Sequence, residues 1–226
     1  MSSSIVPAAD ALTRLREGNG RFVSNVRSVE ALASLGRRID PLVQQSPFAI
    51  ILGCADSRAP AETIFDQGLG ELFVIRVAGN IVAPSQIGSV EFAAERAGAR
   101  LVVVLGHSQC GAILATLDEL QRPTEKHSRN LRSIVDRISP SVQALLSTDL
   151  KHDRDELVRQ AVRANVRASA NQLRHGSDIV EELIQNDGLC VVGAEYSLET
   201  GVVEFFDAQS DLSRRPVGLH TDHYGE

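Results

Sequence analysis

The chain has 226 residues, a formal net charge of −6 and three cysteines. This length is enough for one domain with its own core, and so few cysteines exclude a disulfide framework. The acidic balance argues against a nucleic-acid partner, because phosphate binding needs surplus Lys and Arg. No apolar run is long enough to span a membrane. The first residues lack a secretory signal pattern, so we expect a cytoplasmic protein.

Residues 1–46 are mostly polar and predict an N-terminal helical arm. The apolar positions of this arm recur at helical spacing: Leu12, Leu15 and Phe22, then Leu32, Leu35 and Ile39. Such a segment cannot fold alone, so it must pack either on the body of its own chain or on a partner chain.

After residue 47 the pattern changes to short continuous apolar runs, which are typical of buried strands. Three such runs predict strands at Phe48–Gly53, Leu72–Val77 and Leu101–Leu105. Helical patterns follow the second and third runs, at Gln86–Gly98 and Gly111–Leu120. Strands that alternate with helices imply right-handed crossovers and a largely parallel sheet.

The rest of the chain predicts further helices and two more strands. Residues 121–187 are helical and charged, with apolar stripes in Arg154–Arg174 and Ile179–Ile184. A fourth strand is predicted at Leu189–Leu198 and an edge strand at Val202–Phe206. We therefore expect an α/β fold in a single domain. A mostly parallel central sheet of four strands plus an edge strand is flanked by helices, and residues 47–226 form the body.

Two clusters of metal-ligating side chains directly follow predicted strands. Cys54 and Asp56 follow the first strand, and His107 and Cys110 follow the third. Two thiols, an imidazole and a carboxylate suit Zn²⁺, which accepts sulfur, nitrogen and oxygen ligands. The carboxyl ends of parallel strands meet at one edge of a sheet, so the clusters should lie close together. Cys190 lies in an apolar run and is interpreted as a core residue.

Whether such a zinc site is structural or catalytic depends on Asp56. Structural sites are closed by four protein ligands, whereas catalytic sites keep a position for water. Arg58 lies two residues after Asp56, on the same side of an extended segment, and can pair with its carboxylate. The carboxylate would then be held off the metal, and three permanent ligands would remain.

At these residues the chain resembles the β-class carbonic anhydrases. The resemblance lies in Cys-Ala-Asp-Ser-Arg at 54–58 and Gly-His-Ser-Gln-Cys-Gly-Ala at 106–112. Further matches lie between these motifs, in residues 65–76, 78–80 and 88–93. The resemblance therefore covers nearly the whole chain.

The resemblance implies zinc-dependent reversible hydration of carbon dioxide to bicarbonate and a proton, by zinc-bound hydroxide and with one Zn²⁺ per chain. Cys54, His107 and Cys110 would hold the zinc. Asp56 and Arg58 would form a dyad that orients the hydroxide and gates the fourth zinc position. The smallest active unit would be a homodimer, with the arm of residues 1–46 packed on the partner and the active site at the interface. A homotetramer would be built from such dimers.

The resemblance also implies a pocket type. Gln45 stands nine residues before the first zinc cysteine, as in the plant-like group, and would donate a hydrogen bond to substrate. Ile51 stands where the other group carries the Trp of a regulatory bicarbonate site, so we expect no such site. Phe73 and Phe92 would form apolar pocket walls, and the N–H of Gly111 would bind substrate.

Two alternatives to this function remain at the level of the sequence. A hydrolase of carbonyl sulfide or carbon disulfide could use the same scaffold and the same zinc. A non-catalytic assembly protein stabilised by zinc is a third reading, and the pairing of Asp56 with Arg58 argues against it.

Overall fold

A five-stranded sheet forms the centre of the computed structural model, which describes residues 5–29, 31, 45–122 and 128–206. The strand order is β2-β1-β3-β4-β5. The strands are β1 (Ala49–Gly53), β2 (Leu72–Arg76), β3 (Leu101–His107), β4 (Cys190–Tyr196) and β5 (Val203–Phe206). The first four are parallel, and β5 pairs antiparallel with β4 at one edge. The predicted α/β fold and the predicted edge strand are therefore confirmed.

The strands differ from their predicted limits at the ends. All five residues of β1 and all seven of β3 are buried, as expected of strands covered on both faces. Strand β3 runs two residues past its predicted end because His107 still pairs with Tyr196 of β4. Strand β4 is shorter than predicted: Leu189 and the two residues after Tyr196 lie outside it.

Seven α-helices within the described residues flank the sheet. They are α1 (Ala8–Val23), α2 (Ala61–Ile64), α3 (Pro84–Arg96), α4 (Gly111–Gln121), α5 (Arg129–Val142), α6 (Arg154–His175) and α7 (Asp178–Asn186). Helix α3 begins two residues before its predicted start, because proline suits the first turn. Short 3₁₀ helices lie at Ala78–Asn80, Gln143–Ser147 and Asp149–His152. No described helix has the length and apolar character that crossing a bilayer would require.

The helices cover the two faces of the sheet in separate layers. One face packs against α1 and α2 through residues such as Leu15 and Ile64. The other packs against α3, α6 and α7. Helix α6 lies very close to this second face. A Cβ atom at Gly106 of β3 would lie 2.6 Å from Val166 of α6, and one at Gly193 of β4 would lie 3.0 Å from it. The two glycines therefore set the depth at which α6 lies on the sheet.

Helix α1 is held on the body of its own chain. The side chain of Asn19 donates to the carbonyls of Ile64 (3.2 Å) and Gly201 (2.9 Å) and accepts from the N–H of Val203 (2.8 Å). Next to it, the buried carboxylate of Asp66 accepts a 2.6 Å hydrogen bond from Arg21. Of the two alternatives given by the sequence, the first part of the arm therefore packs on the body of its own chain.

Packing of residues 1–46 on a partner chain stays a prediction. The apolar positions Leu32, Leu35 and Ile39 lie outside the described residues.

Replacing Asn19 with Ala should destabilise the fold. The change leaves two carbonyls and one N–H buried without their partner, so the free energy of unfolding should fall by about 1–3 kcal/mol. Urea denaturation at fixed protein concentration measures this. Thr13→Ala, on the exposed side of α1, is the control and should change stability by less than about 0.5 kcal/mol. Equal stability of the two variants would contradict the docking role of Asn19.

Candidate metal centre

Three potential ligands meet at the carboxyl ends of β1 and β3. Cys54 directly follows Gly53, the last residue of β1, and Gly53 lies beside Leu105 of β3. His107 is the last residue of β3, and Cys110 is the N-cap residue of α4. Parallel pairing of the two strands therefore brings together residues that are more than fifty positions apart.

The geometry of this cluster fits a tetrahedral zinc ion. One ligand atom each of Cys54, His107 and Cys110 lies within 4.8 Å of the others, and all three residues are buried. The two Sγ atoms are 3.9 Å apart. Two Zn–S bonds of about 2.3 Å at the tetrahedral angle would place them about 3.8 Å apart.

The imidazole of His107 also presents a free ligand atom. Its Nδ1 lies 2.9 Å from the carbonyl oxygen of Ser108, which fixes the proton on that nitrogen. Its Nε2 is buried and has no hydrogen-bond partner. An orphaned nitrogen lone pair next to two thiols is what a metal ion would satisfy.

The two thiol sulfurs lie in direct contact, and their pKa values shift in opposite directions. The pKa of Cys54 is lowered, chiefly by its hydrogen bond with Cys110 and also by the N–H of Gly79. The pKa of Cys110 is raised, chiefly by the same hydrogen bond to Cys54 and then by burial. Thiolates bound at this buried site would bring negative charge that a divalent cation compensates.

Asp56 is bound to Arg58 in the structure. Oδ1 accepts from the Arg58 backbone N–H (2.9 Å) and Nε (3.0 Å), and Oδ2 accepts from Nη2 (2.8 Å). This pairing is the main reason why the pKa of Asp56 lies well below its usual range. Oδ2 is 3.8 Å from Nε2 of His107, so the carboxylate borders the ligand cluster without belonging to it. Its role as a fourth ligand stays a prediction.

The segment that carries Cys54 and Asp56 is fixed by Arg76, which sequence reasoning missed. Arg76 ends β2 and donates to the carbonyl of Cys54 from Nε (3.1 Å) and to that of Asp56 from Nη2 (2.6 Å). The sequence did carry one signal for this role, because Arg76 lies near the end of the predicted strand that follows the one leading to Cys54. The backbone of the segment is thereby held in place beside the ligand cluster.

The segment between His107 and Cys110 is held by a hydrogen bond between Ser108 and Glu199, which sequence reasoning also missed. The Ser108 hydroxyl donates to Glu199 (2.8 Å) and accepts from the N–H of Leu198 (2.9 Å). Glu199 belongs to the turn between β4 and β5. No sequence signal links two residues ninety-one positions apart.

The predicted substrate residues fall into two groups. Gly111 begins α4 beside the cluster, and a Cβ atom there would meet nothing within 4 Å. Gln45, Phe73 and Phe92 lie elsewhere in the single chain. Phe73 is paired with Ile50 near the start of β1, and its ring lies 6.2 Å from that of Phe92. Phe92 is 51% exposed, and Gln45 is exposed as well.

Comparisons with known proteins agree with this geometry. The family model described as carbonic anhydrase matches residues 49–203. The chain is similar to carbonic anhydrase 2 of Mycobacterium tuberculosis, with 38% identity over 83% of this chain and 87% of that protein.

Solved structures show the same likeness. The β-carbonic anhydrase of Aspergillus fumigatus described as CafA matches with a TM-score of 0.66 and 26% identity, over 90% of this chain and 94% of that one. A second match comes from the crystal structures of two tetrameric β-carbonic anhydrases of the ascomycete Sordaria macrospora. The matched chain has a TM-score of 0.65 and 25% identity, over 73% of this chain and 82% of that one.

Cys110→Ser should abolish stoichiometric zinc binding, because a serine hydroxyl replaces one of two thiolates in the ligand set. Metal analysis after dialysis measures the zinc content. Cys190→Ser is the matched control, since Cys190 is also buried but begins β4 outside the cluster, and this variant should keep about one zinc per chain. Retention of full zinc by Cys110→Ser would contradict the ligand assignment.

Proposed function

The chain belongs to the β-class carbonic anhydrases, and on this basis we propose that it hydrates carbon dioxide reversibly to bicarbonate and a proton. The observation that carries the proposal is the buried cluster of Cys54, His107 and Cys110 with the Asp56–Arg58 pair beside it. A cluster of three ligands leaves one position of a tetrahedral metal open, which is the arrangement of catalytic sites.

Cys54, His107 and Cys110 would hold the zinc ion, with the Ser108 carbonyl fixing the ring of His107. When bound, zinc lowers the pKa of a coordinated water to near ~7 and thereby supplies a nucleophile at neutral pH. The negative charge of the two thiolates is then balanced. The contribution of the chain is a rigid, buried ligand set at the ends of two paired strands.

Asp56 and Arg58 would control the fourth position. Held by Arg58, the carboxylate can accept a hydrogen bond from the attacking group and so direct its lone pair toward the carbon atom. Released from Arg58, the same carboxylate can ligate the metal and close the site. The distance of 3.8 Å between its Oδ2 and Nε2 of His107 supports both arrangements, because the carboxylate lies beside the ligand cluster.

The low pKa of Asp56 means that its titration is not the source of a pH dependence near neutrality. The carboxylate stays ionised throughout the neutral range, so its own protonation does not change activity there. Activity should instead rise with pH, because hydroxide at higher concentration competes better with the carboxylate for the metal.

The alternative of a non-catalytic assembly protein is less well supported. A purely structural zinc site would need no carboxylate that can leave the metal by pairing with an arginine.

The remaining predicted substrate residues would come from a second copy of the chain in a homodimer. Gln45 and Phe73 lie toward the starts of β1 and β2, whereas Cys54 follows the end of β1. At about 3.3 Å per residue, Ile50 and Cys54 alone are separated by about 13 Å along the strand. These residues and the metal therefore cannot contact one small substrate within a single chain.

A two-fold axis beside β2 would solve this problem. Strand β2 lies at the edge of the sheet, and a two-fold axis perpendicular to the strands reverses their direction. The start of β2 in one copy would then lie near the end of β2 in the other. This would bring Gln45, Phe73 and Phe92 of one copy to the metal of its partner, as in the Gln-containing pocket. The tetrameric Sordaria macrospora enzymes support further assembly of such dimers.

Asp56→Asn and Arg58→Ala should each lower kcat for carbon dioxide hydration by about 100-fold or more at neutral pH. The loss in Asp56→Asn should change little with pH, because the amide is a poor metal ligand. The loss in Arg58→Ala should shrink as pH rises and hydroxide displaces the released carboxylate. Stopped-flow assays across pH measure both effects.

Arg132→Ala, which removes an exposed ion pair on α5, is the control and should keep wild-type activity. Full activity of Arg58→Ala at neutral pH would contradict the gating role. Absence of hydration by the wild type at every pH, with sulfide release from carbonyl sulfide or carbon disulfide, would favour the alternative hydrolase.

A purified heterodimer of Gln45→Ala with Cys110→Ser should recover about half the wild-type activity per dimer. One of its two sites would combine intact metal ligands from one chain with intact Gln45 from the other. Each variant alone should be strongly impaired, so mixing must create the active site. Two different affinity tags allow isolation of the heterodimer. If activity did not rise above that of the parent variants, Gln45 would not act across the interface.

A further inference from the structure

A tight turn next to the metal centre donates a backbone hydrogen bond to Cys54. The N–H of Gly79, in the 3₁₀ helix Ala78–Asn80, lies 3.4 Å from Sγ of Cys54. Gly79 has φ of +69°, and a Cβ atom there would lie 2.8 Å from Ile138 and 3.0 Å from Ala112. The turn is therefore pressed against its neighbours with its N–H aimed at a ligand sulfur.

This turn is held from behind by Asn165 of α6. The Asn165 side chain is buried, and its Nδ2 donates to the carbonyl oxygen of Gly79 at 2.8 Å. It reaches the turn because α6 lies deep on the sheet: the adjacent Val166 packs against Gly106 and Gly193. A residue eighty-six positions away in the sequence thus contacts the peptide that follows the donor N–H.

We propose that Asn165 is a positioning residue of the metal centre. By holding the Gly79 carbonyl, it keeps the Gly79 N–H on the sulfur of Cys54 and so limits the electron donation of that thiolate to the metal. Groups outside the ligand set commonly orient and tune ligands in this way. The inference rests on zinc binding at Cys54, His107 and Cys110.

A purely structural role for Asn165 makes a different prediction. If the amide only satisfied a buried carbonyl, its loss would lower stability but leave the electronic state of the Cys54 sulfur unchanged. The charge-transfer absorption from thiolate to metal reports that state directly. A hydrogen bond to sulfur stabilises its lone pair, so removal of the bond should move the absorption to longer wavelength.

The test uses the full-length protein loaded with cobalt(II) in place of zinc, together with zinc affinity from chelator competition. Asn165→Leu keeps the number and branching of the side-chain heavy atoms and removes the donor. This variant should move the thiolate-to-cobalt band to longer wavelength, and its zinc affinity should differ from that of the wild type because the Cys54 sulfur donates more strongly and is held less firmly. A folded Asn165→Leu protein with the wild-type band and the wild-type affinity would overturn the inference.

Thr116→Val is the matched control. Thr116 is fully buried in α4 and donates to the carbonyl of Ala112 at 2.8 Å. Its replacement removes a buried hydrogen bond of the same kind but leaves the Gly79 N–H in place. It should lower stability without moving the cobalt band. A wild-type protein that binds neither metal would count against the zinc site itself, which is a distinct failure.

If Asn165→Leu does not fold, the wild type still provides a test. In protein loaded with an NMR-active cadmium isotope, the amide proton of Gly79 should show scalar coupling to the metal through the hydrogen bond to Cys54. An assigned Gly79 amide without this coupling would overturn the inference.

Discussion

The parallel pairing of β1 with β3 is the constraint on which the metal centre depends. It places Gly53 beside Leu105 and therefore brings the residues that follow the two strands to the same edge of the sheet. A slip of one residue would turn every side chain of a strand to the opposite face. Both strands are buried on both faces, so such a slip would also disrupt two packed layers.

Around this constraint, side chains outside the ligand set hold the backbone of the two ligand segments. Arg76 binds the carbonyls around Cys54, and Ser108 ties the segment after His107 to Glu199. The carboxylate of Asp56 is held by the exposed side chain of Arg58. The buried set of two sulfurs and one imidazole nitrogen suits a cation. The carboxylate of Asp56 lies beside this set, paired with Arg58.

The sequence was sufficient to predict the α/β fold and the three clustered ligands, because strand patterns and ligand types are local signals. It was not sufficient for the groups that support them. Glu199 and Asn165 act on residues ninety-one and eighty-six positions away, and only the packing of α6 and the β4–β5 turn brings them close. The distance of Phe73 from Cys54 depended likewise on strand register. Arg76 carried a partial signal, since it ends a strand next to the ligand strand.

The most direct test of this account is the structure of the zinc-loaded protein in crystals at acidic and at alkaline pH. The account predicts zinc on Cys54, His107 and Cys110 in both. At acidic pH an oxygen of Asp56 should take the fourth position, and at alkaline pH Asp56 should lie on Arg58 with a water in its place. Zinc at another site, or a fourth protein ligand other than Asp56, would contradict it.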